Sequence, residues 1–427
     1  MNQAVPSARG ASSDDEVSSA LTALARQDAG RVIGLLARRF GDLDLADEAV
    51  AEALARATER WPLEGVPDQP TAWLTTVARR IAIDRLRRAD SARRRTLEAG
   101  PDLVEQDEAS DFGGESLIAE DGDYDDAQLR LILLCCHPAL DRDTQVALTL
   151  RLVGGLTTSE VAAALLVPEA TMAQRIVRAK KKIRAAAIPM SLPADLGERL
   201  GAVLTVLYLV FNEGYLTHSD GPTIRTELTD EAIRLTATVA ELAPEHAETH
   251  GLLALELFLE SRRSTRIDGA GDLVLLEDQD RSRWDRALID VGNVALHRAM
   301  ALRSPGRFQV EANIAGLHAN ARSPRDTDWN LISALYAQLE AMTGSPVVAL
   351  NRVVAIAMVD GPEAGLERLA QLTELDRYHL RWATEAELLV RSGRAGEAAL
   401  AFDTALSLAT SDAERRHLER RIADVSS

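Results

Sequence analysis

Lysine is almost missing from this chain: of 48 basic residues only three are lysines, and they stand side by side as Lys180, Lys181 and Lys182. Cysteine is nearly as scarce, with two residues, Cys135 and Cys136, adjacent in LRLILLCCHPAL. That count and spacing exclude a disulfide framework and a structural zinc site, so both read as small core residues. Aromatic residues make up 4% and β-rich runs are few, which favours packed helices over sheets. The longest apolar run, AVLTVLYLVF at 202–211, is too short for a bilayer, which takes about 20 residues. Residues 1–17 contain no apolar stretch and read as a disordered tail, not a signal peptide. The expectation is a soluble, cytoplasmic protein with no membrane partner.

No phosphate-cradling glycine loop, catalytic triad or metal cluster is visible, so no catalytic residue, metal or cofactor is expected and the protein does not read as an enzyme. His246 and His250 stand four apart in PEHAETHG, but no third ligand lies nearby and the His-Glu-x-x-His order is absent. They read as ordinary histidines of a helix.

What is present is an uneven distribution of charge. The chain carries a net −18 over 427 residues, with 46% hydrophobic content, enough for two to four domains with buried cores. Residues 1–96 are nearly neutral, yet their arginines crowd into 79–95. Residues 97–126 carry twelve acids and no base, and read as a linker that buries too little apolar surface to fold alone. Residues 127–190 return to net +5, and 191–427 are acidic by twelve units. Two basic modules therefore precede a large acidic one.

The second basic module, GLTTSEVAAALLVPEATMAQRIVRAKKKIR at 155–184, opens with Thr157 and Glu160, a capping box. Pro168 interrupts the short helix and starts another, with Glu169 near the positive end of its dipole. Met172, Ile176 and Ile183 face inward there, while Thr171, Gln174, Arg175 and Arg178 face out. Short helix, tight turn, polar helix is the order of a helix-turn-helix. Gln and Arg can pair with adenine and guanine edges, and the terminal lysines suit phosphates. Alone, the segment also reads as an amphipathic helix with a solvated charged face.

In the first module, DLADEAVAEALARATERW at 44–61 reads as an amphipathic helix with Asp47, Glu48 and Glu52 outward. The loop PLEGVPDQP follows, then TAWLTTVARRIAIDRLRR forms a helix with one arginine face. Together with the helix-turn-helix, in this order and with a linker between, these segments resemble the extracytoplasmic-function sigma factors over about the first 190 residues.

The resemblance implies two small helical sigma domains, 18–96 and 127–189, that bind bacterial core RNA polymerase and promoter DNA. By it, Asp47, Glu48 and Glu52 dock on the polymerase. Arg79, Arg80, Asp84, Arg87 and Arg88 face the −10 element, and the loop from Leu63 to Thr71 receives a flipped base. Glu169, Thr171, Gln174, Arg175, Arg178 and the run Lys180, Lys181, Lys182 read the −35 element. The acidic linker reads either as an RNA mimic in the polymerase's exit path or as a solubilising tether. Leu166 stands where the family usually has the glycine of the tight turn, and Ala51 and Leu54 replace a common glutamine and phenylalanine.

Residues 190–427 exceed what such a factor needs. In RWATEAELLVRSGRAGEAALAFDTALSLAT, residues Trp382, Ala386, Leu389, Gly393, Ala398, Phe402 and Ala405 have the spacing of a tetratricopeptide repeat. A weaker copy aligns Gly344 with Gly393 and Ala349 with Ala398, and a third runs from PEHAETHG across a Gly/Asp-rich insertion. The region reads as a helical-repeat domain that binds a protein partner or contacts the sigma domains, regulating them. As a whole it resembles the sigma-factor subgroup with a C-terminal tetratricopeptide-like extension. Its most recognisable stretch, YLVFNEGYLTHSDG, holds Asn212, Glu213, Gly214 and Tyr215, which read as a regulatory contact or as a helix end.

The expectation is an all-α protein acting as an alternative sigma factor under control of its own C-terminal domain. The competing reading is a helix-turn-helix regulator that works without core polymerase, with its C-terminal half a protein-binding scaffold.

Overall fold

The structure, a computed structural model, describes residues 9–98, 121–165, 167–186, 188, 196–215, 222–268, 274–409 and 412–426. The described residues form helices and no strand. In chain order they are α1 Arg9–Ala23, α2 Ala29–Phe40, α3 Leu43–Glu64, α4 Pro70–Glu98, α5 Asp121–Cys135, α6 Arg142–Leu148, α7 Thr158–Ala164, α8 Glu169–Ala185 and α9 Leu196–Tyr215. They continue with α10 Pro222–Leu242, α11 Ala247–Glu260, α12 Arg286–Ala301, α13 Arg307–Asn320, α14 Trp329–Thr343, α15 Pro346–Asp360, α16 Pro362–Leu369, α17 His379–Arg391, α18 Ala395–Leu408 and α19 Asp412–Ser426. The chain divides into two compact units, Met1–Val206 and Leu207–Ser427. The division falls within α9, beyond the boundary at 190 that the sequence suggests.

In the first unit, α3 begins where the Asp42 carboxylate accepts hydrogen bonds from the backbone N–H of Asp44 and Leu45, at 2.9 and 3.0 Å. This satisfies two donors that the first turn leaves without partners. Its core face, Ala46, Ala49, Val50, Ala53, Ala57 and Trp61, is sealed, and Trp61 meets Trp73 of α4 edge to face at 5.5 Å. The expected capping box is formed: Glu160 N–H donates to Thr157 Oγ1 at 3.2 Å and Thr157 N–H to Glu160 Oε2 at 2.6 Å. Met172, Ile176 and Ile183 of α8 are buried as their spacing predicts.

Three sequence expectations shift here. Helix α3 runs through Pro62 to Glu64, so the loop after it is only 65–69, because Trp61 anchors the last turn and its carbonyl accepts from Gly65 N–H at 2.9 Å. From Arg9 onward the expected tail belongs to α1, where Val17 is buried and supplies the apolar anchor. The end of the acidic linker belongs to α5: Tyr124 is buried with its hydroxyl 3.0 Å from Thr75 Oγ1, and Asp126 pairs with Arg130 one turn on. Residues 99–120 and Leu166 lie outside the described residues.

In the second unit, antiparallel helix pairs stack along the chain. In the pair α17 and α18, Ala386, Leu389, Ala398, Phe402 and Ala405 form one apolar cluster with Trp382 against it, the residues that the repeat spacing singles out. Gly393, at φ 72°, and Gly344, at φ 61°, turn the corners after α17 and α14 in the left-handed region that L side chains avoid.

Candidate functional site

Helix α4 carries its arginine face toward solvent: Arg80, Asp84, Arg87 and Arg88 are exposed, and Arg79 is half-buried. On α8, Glu169, Thr171, Gln174, Arg178, Lys181 and Lys182 are exposed. Arg175 leans toward Asp143 at 3.7 Å. Thr171, Gln174, Arg178 and Lys182 border one groove with Asp141 and Thr144 of the preceding segment. This face presents an amide, a guanidinium and an ammonium side by side, the donor set for base edges flanked by phosphates.

The carboxylates of α3 are placed differently from the sequence expectation. Glu48 and Glu52 project from the helix, but both are bound by Arg85 of α4, with Glu52 Oε2 at 2.9 Å from its guanidinium. The Arg85 hydrogen bond holds the Glu52 carboxyl below the usual carboxylate range, against a smaller opposing effect of burial. Arg85 is the residue that sequence reading missed. Its position one helical turn from Ile81, inside the arginine run, gave no sign that it faces α3 rather than DNA.

Asp47 does not face outward. It is buried, with 9% of its side chain exposed, and is ion-paired to Lys180, whose side chain is 10% exposed. Arg151, from a single π-helical turn at Thr149–Val153, approaches the second Asp47 oxygen at 3.4 Å. Lys180 also reaches Asp44 at 3.6 Å, while Arg184, one turn further along α8, pairs with Asp44 and lies 3.6 Å from Asp42. The lysine run is therefore split: Lys181 and Lys182 meet solvent, and Lys180 meets α3. The reason is the helical period, which turns position 180 onto the side of α8 shared with Ile176, Ala179 and Ile183.

The same two parts of the first unit touch elsewhere. Arg26 pairs with Glu160 at 2.8 Å and Arg38 with Asp126 at 3.1 Å. Backbones come close where side chains are absent: a Cβ on Gly30 would lie 2.8 Å from the Val153 carbonyl oxygen, on Gly34 2.5 Å from that of Ala127, and on Gly155 1.9 Å from that of Ala25. Cys135 and Cys136 are buried in this core, where desolvation pushes both thiols up, Cys136 to about 11.

In the second unit, Tyr215 is held by its own neighbours. Arg266 lies over its ring at 3.5 Å and donates to its carbonyl at 2.6 Å, Arg262 donates to its hydroxyl at 2.8 Å, and Phe211 stacks on it. Asn212, Glu213 and Gly214 are half-buried beside it, and the turn expected at 220–221 lies outside the described residues. His250 uses a ring nitrogen on the Pro244 carbonyl at 2.9 Å. Among the described residues no group of three or more His, Cys, Asp or Glu is arranged to hold a metal, and no helix is long and apolar enough to cross a membrane. A largely apolar cavity of about 520 Å³ is bordered by Trp329, Tyr336, Val354, Met358, Leu380 and Ala383.

Comparison with known proteins gives three family matches along the chain: sigma-70 region 2 at residues 24–92, sigma-70 region 4 at 130–183, and a family of unknown function, DUF6596, at 199–300. An uncharacterized protein of Rhizobium meliloti (strain 1021) is 43% identical over 398 residues, covering 92% of each chain. The ECF RNA polymerase sigma factor SigK of Mycobacterium ulcerans (strain Agy99) is 31% identical over 158 residues, 36% of this chain and 78% of that protein. Among solved structures, yeast Tom70 aligns over 90% of this chain and 80% of its own, at 12% identity and a TM-score of 0.36.

Proposed function

Because this chain belongs to the family of ECF RNA polymerase sigma factors, we propose that it directs core RNA polymerase to particular promoters and is regulated by its own C-terminal helical domain. The observation that carries the reading is the pairing of region 2 and region 4 on one chain, with the α8 face exposed beside a formed capping box.

In this proposal Arg79, Arg80, Asp84, Arg87 and Arg88 contact the −10 element, Glu48 and Glu52 form the polymerase-docking side of α3, and Glu169, Thr171, Gln174, Arg175 and Arg178 read the −35 element with Lys181 and Lys182 on phosphates, while the buried pair of Asp47 and Lys180 holds α3 to α8. Phosphate contacts set register and strength; Gln174 and Arg178 carry the sequence choice. The protein works in the cytoplasm, where core polymerase and promoter meet. Regulation runs through residues 190–427 as a tetratricopeptide-like domain. Its apolar cavity supports a protein partner, and Asn212 to Tyr215 hold the beginning of that domain in shape.

Run-off transcription tests this: purified protein added to core polymerase yields transcripts from a subset of promoters, and Gln174→Ala with Arg178→Ala abolishes them while leaving core binding intact. Sequence-specific DNA binding without any core binding supports the helix-turn-helix regulator instead. Tyr215→Ala, which unpins the start of the second unit, shifts transcript yield if that unit regulates; an unchanged yield removes the regulatory part.

A further inference from the structure

In the second unit the cavity of about 520 Å³ adjoins another of about 430 Å³, and His318 of α13, Tyr336 of α14 and Asn351 of α15 are walls of both. Leu276, from the segment before α12, also borders both, and its neighbours Leu275 and Glu277 border the larger one. That segment is a turn closed on itself. The backbone N–H groups of Asp278 and Gln279 donate to the Leu275 carbonyl at 2.9 and 3.1 Å, and Gln279 Nε2 donates to the Val274 carbonyl at 3.0 Å. Its tethers run to the end of α11, with Val274 N–H on the Arg266 carbonyl at 2.9 Å and Thr265 Oγ1 on Gln279 Oε1 at 3.4 Å. Among the described residues no hydrogen bond joins Leu275, Leu276 or Glu277 to α13, α14, α15 or α17, and Leu275 stays 38% exposed. Apolar contact alone holds the tip in the groove, so it leaves without stranding a polar group.

The charges of the walls are unbalanced. Glu311 is paired with Arg307 at 2.7 Å, Glu387 with Arg421 at 2.7 Å, and Glu414 lies 3.3 Å from His379. No described carboxylate stands within ion-pair distance of Arg262, Arg281 or Arg391, which donate instead to the Tyr215 hydroxyl, to the His318 and Ala321 carbonyls, and to the Met358 sulfur. Arg281 is 6% exposed and its Nε has no hydrogen-bond partner. Glu277 borders the same cavity, exposed and paired with none of the three. Three guanidiniums without a carboxylate, inside a region that is acidic by twelve units, suit an anionic occupant.

We infer that the turn at 274–279 is an internal plug in a peptide groove, and that the groove's partner is an extended protein segment in which leucine stands beside acidic residues. The partner's leucine replaces Leu276, and its carboxylates reach the arginines that Glu277 leaves unpaired. This rests on the reading of residues 190–427 as a regulatory, partner-binding domain and names the chemistry of that partner. A tethered plug competes at an effective concentration on the order of millimolar, so only a segment with the added charge contacts displaces it.

The probe is a fluorescein-labelled synthetic peptide of the plug's own sequence, VLLEDQD, added to the full-length protein and read by polarisation. Leu275→Ser with Leu276→Ser empties the groove and binds the peptide at least about tenfold more tightly than the unaltered protein, whose own copy competes. Arg391→Glu in that background weakens binding about tenfold, and the control peptide VSSEDQD is not bound. Should the serine pair lower the melting temperature, Glu277→Arg, at an exposed position, asks the same question: it repels the plug from the arginines and tightens peptide binding about threefold.

Equal affinity of the plugged and unplugged proteins, or equal binding of the two peptides, overturns the inference. So does binding of dodecanoate without the peptide, which makes the cavity a pocket for a small amphipathic acid. Run-off transcription separates this from the reading beneath it. Peptide bound with transcript yield unchanged upholds the groove and removes regulation; no peptide bound, while Tyr215→Ala still shifts the yield, upholds regulation and removes the groove.

Discussion

Between α3 and α8 the first unit sets Asp42, Asp44 and Asp47 against Lys180 and Arg184, whereas between α17 and α18 the second unit sets Ala386, Leu389, Ala398 and Phe402 against one another. The exposed pair of Arg184 with Asp44 is screened by salt, whereas the buried pair of Asp47 with Lys180 is screened little and loses a partner only at a cost. Apolar helix faces packed through small residues carry no charge to screen, and their cohesion grows with the area removed from water.

The largest effect is expected where the second unit is driest. Phe402 is 1% exposed at the centre of its cluster, so Phe402→Ala costs roughly 3–5 kcal/mol in denaturant titration. That cost is the same at low and high salt, and a strongly salt-dependent loss would erase the contrast between the units. Next comes Gly34→Ala, whose added methyl would stand 2.5 Å from the Ala127 carbonyl oxygen. It costs roughly 1–3 kcal/mol by overpacking, read as a lowered melting temperature.

A pH series sharpens the comparison further. Burial, helped by Arg262 and Arg281, depresses the His318 pKa to about 4 in the second unit. Between pH 6.5 and 4 the unfolded chain takes a proton at this site that the folded chain refuses, so stability falls as pH falls through that window. His318→Gln flattens this limb in thermal melts. Burial raises the Glu260 carboxyl to about 7 despite Arg263, and the sign reverses. The unfolded carboxylate ionises above about 4.5 while the folded one stays protonated, so stability declines as pH rises from there to about 7, and Glu260→Gln removes that decline. The smallest effect is the loss of one cap: the Asp328 carboxylate accepts from Leu331 N–H at 3.0 Å, and Asp328→Ala costs about 1 kcal/mol by thermal melt.

Much of this molecule was legible in its residues. The capping box of Thr157 and Glu160, the inward row Met172, Ile176 and Ile183, and the repeat positions Ala386, Ala398 and Phe402 all sit as their spacing implies. What misled was solvent direction on charged helices. Asp47 and Lys180 lie among other charges, and a mixed face has no period that separates the ion turned inward from the one turned outward. The end of the acidic linker misled for a related reason: its composition spoke of solvent, while one aromatic ring, Tyr124, drew the segment into the core.

Caps and the inward rows of single helices were determined by the sequence itself, since each depends on residues within a turn or two of one another, whereas the end of α3 and the reach of α5 were set by the packing of Trp61 and Tyr124. Which acid meets which base across different elements was decided only by tertiary structure, while pairs one turn apart, such as Asp126 with Arg130, follow from the helix itself. Asp47 and Lys180 are 133 positions apart, and only the folding of two separate lobes onto each other brings that carboxylate and that ammonium into contact.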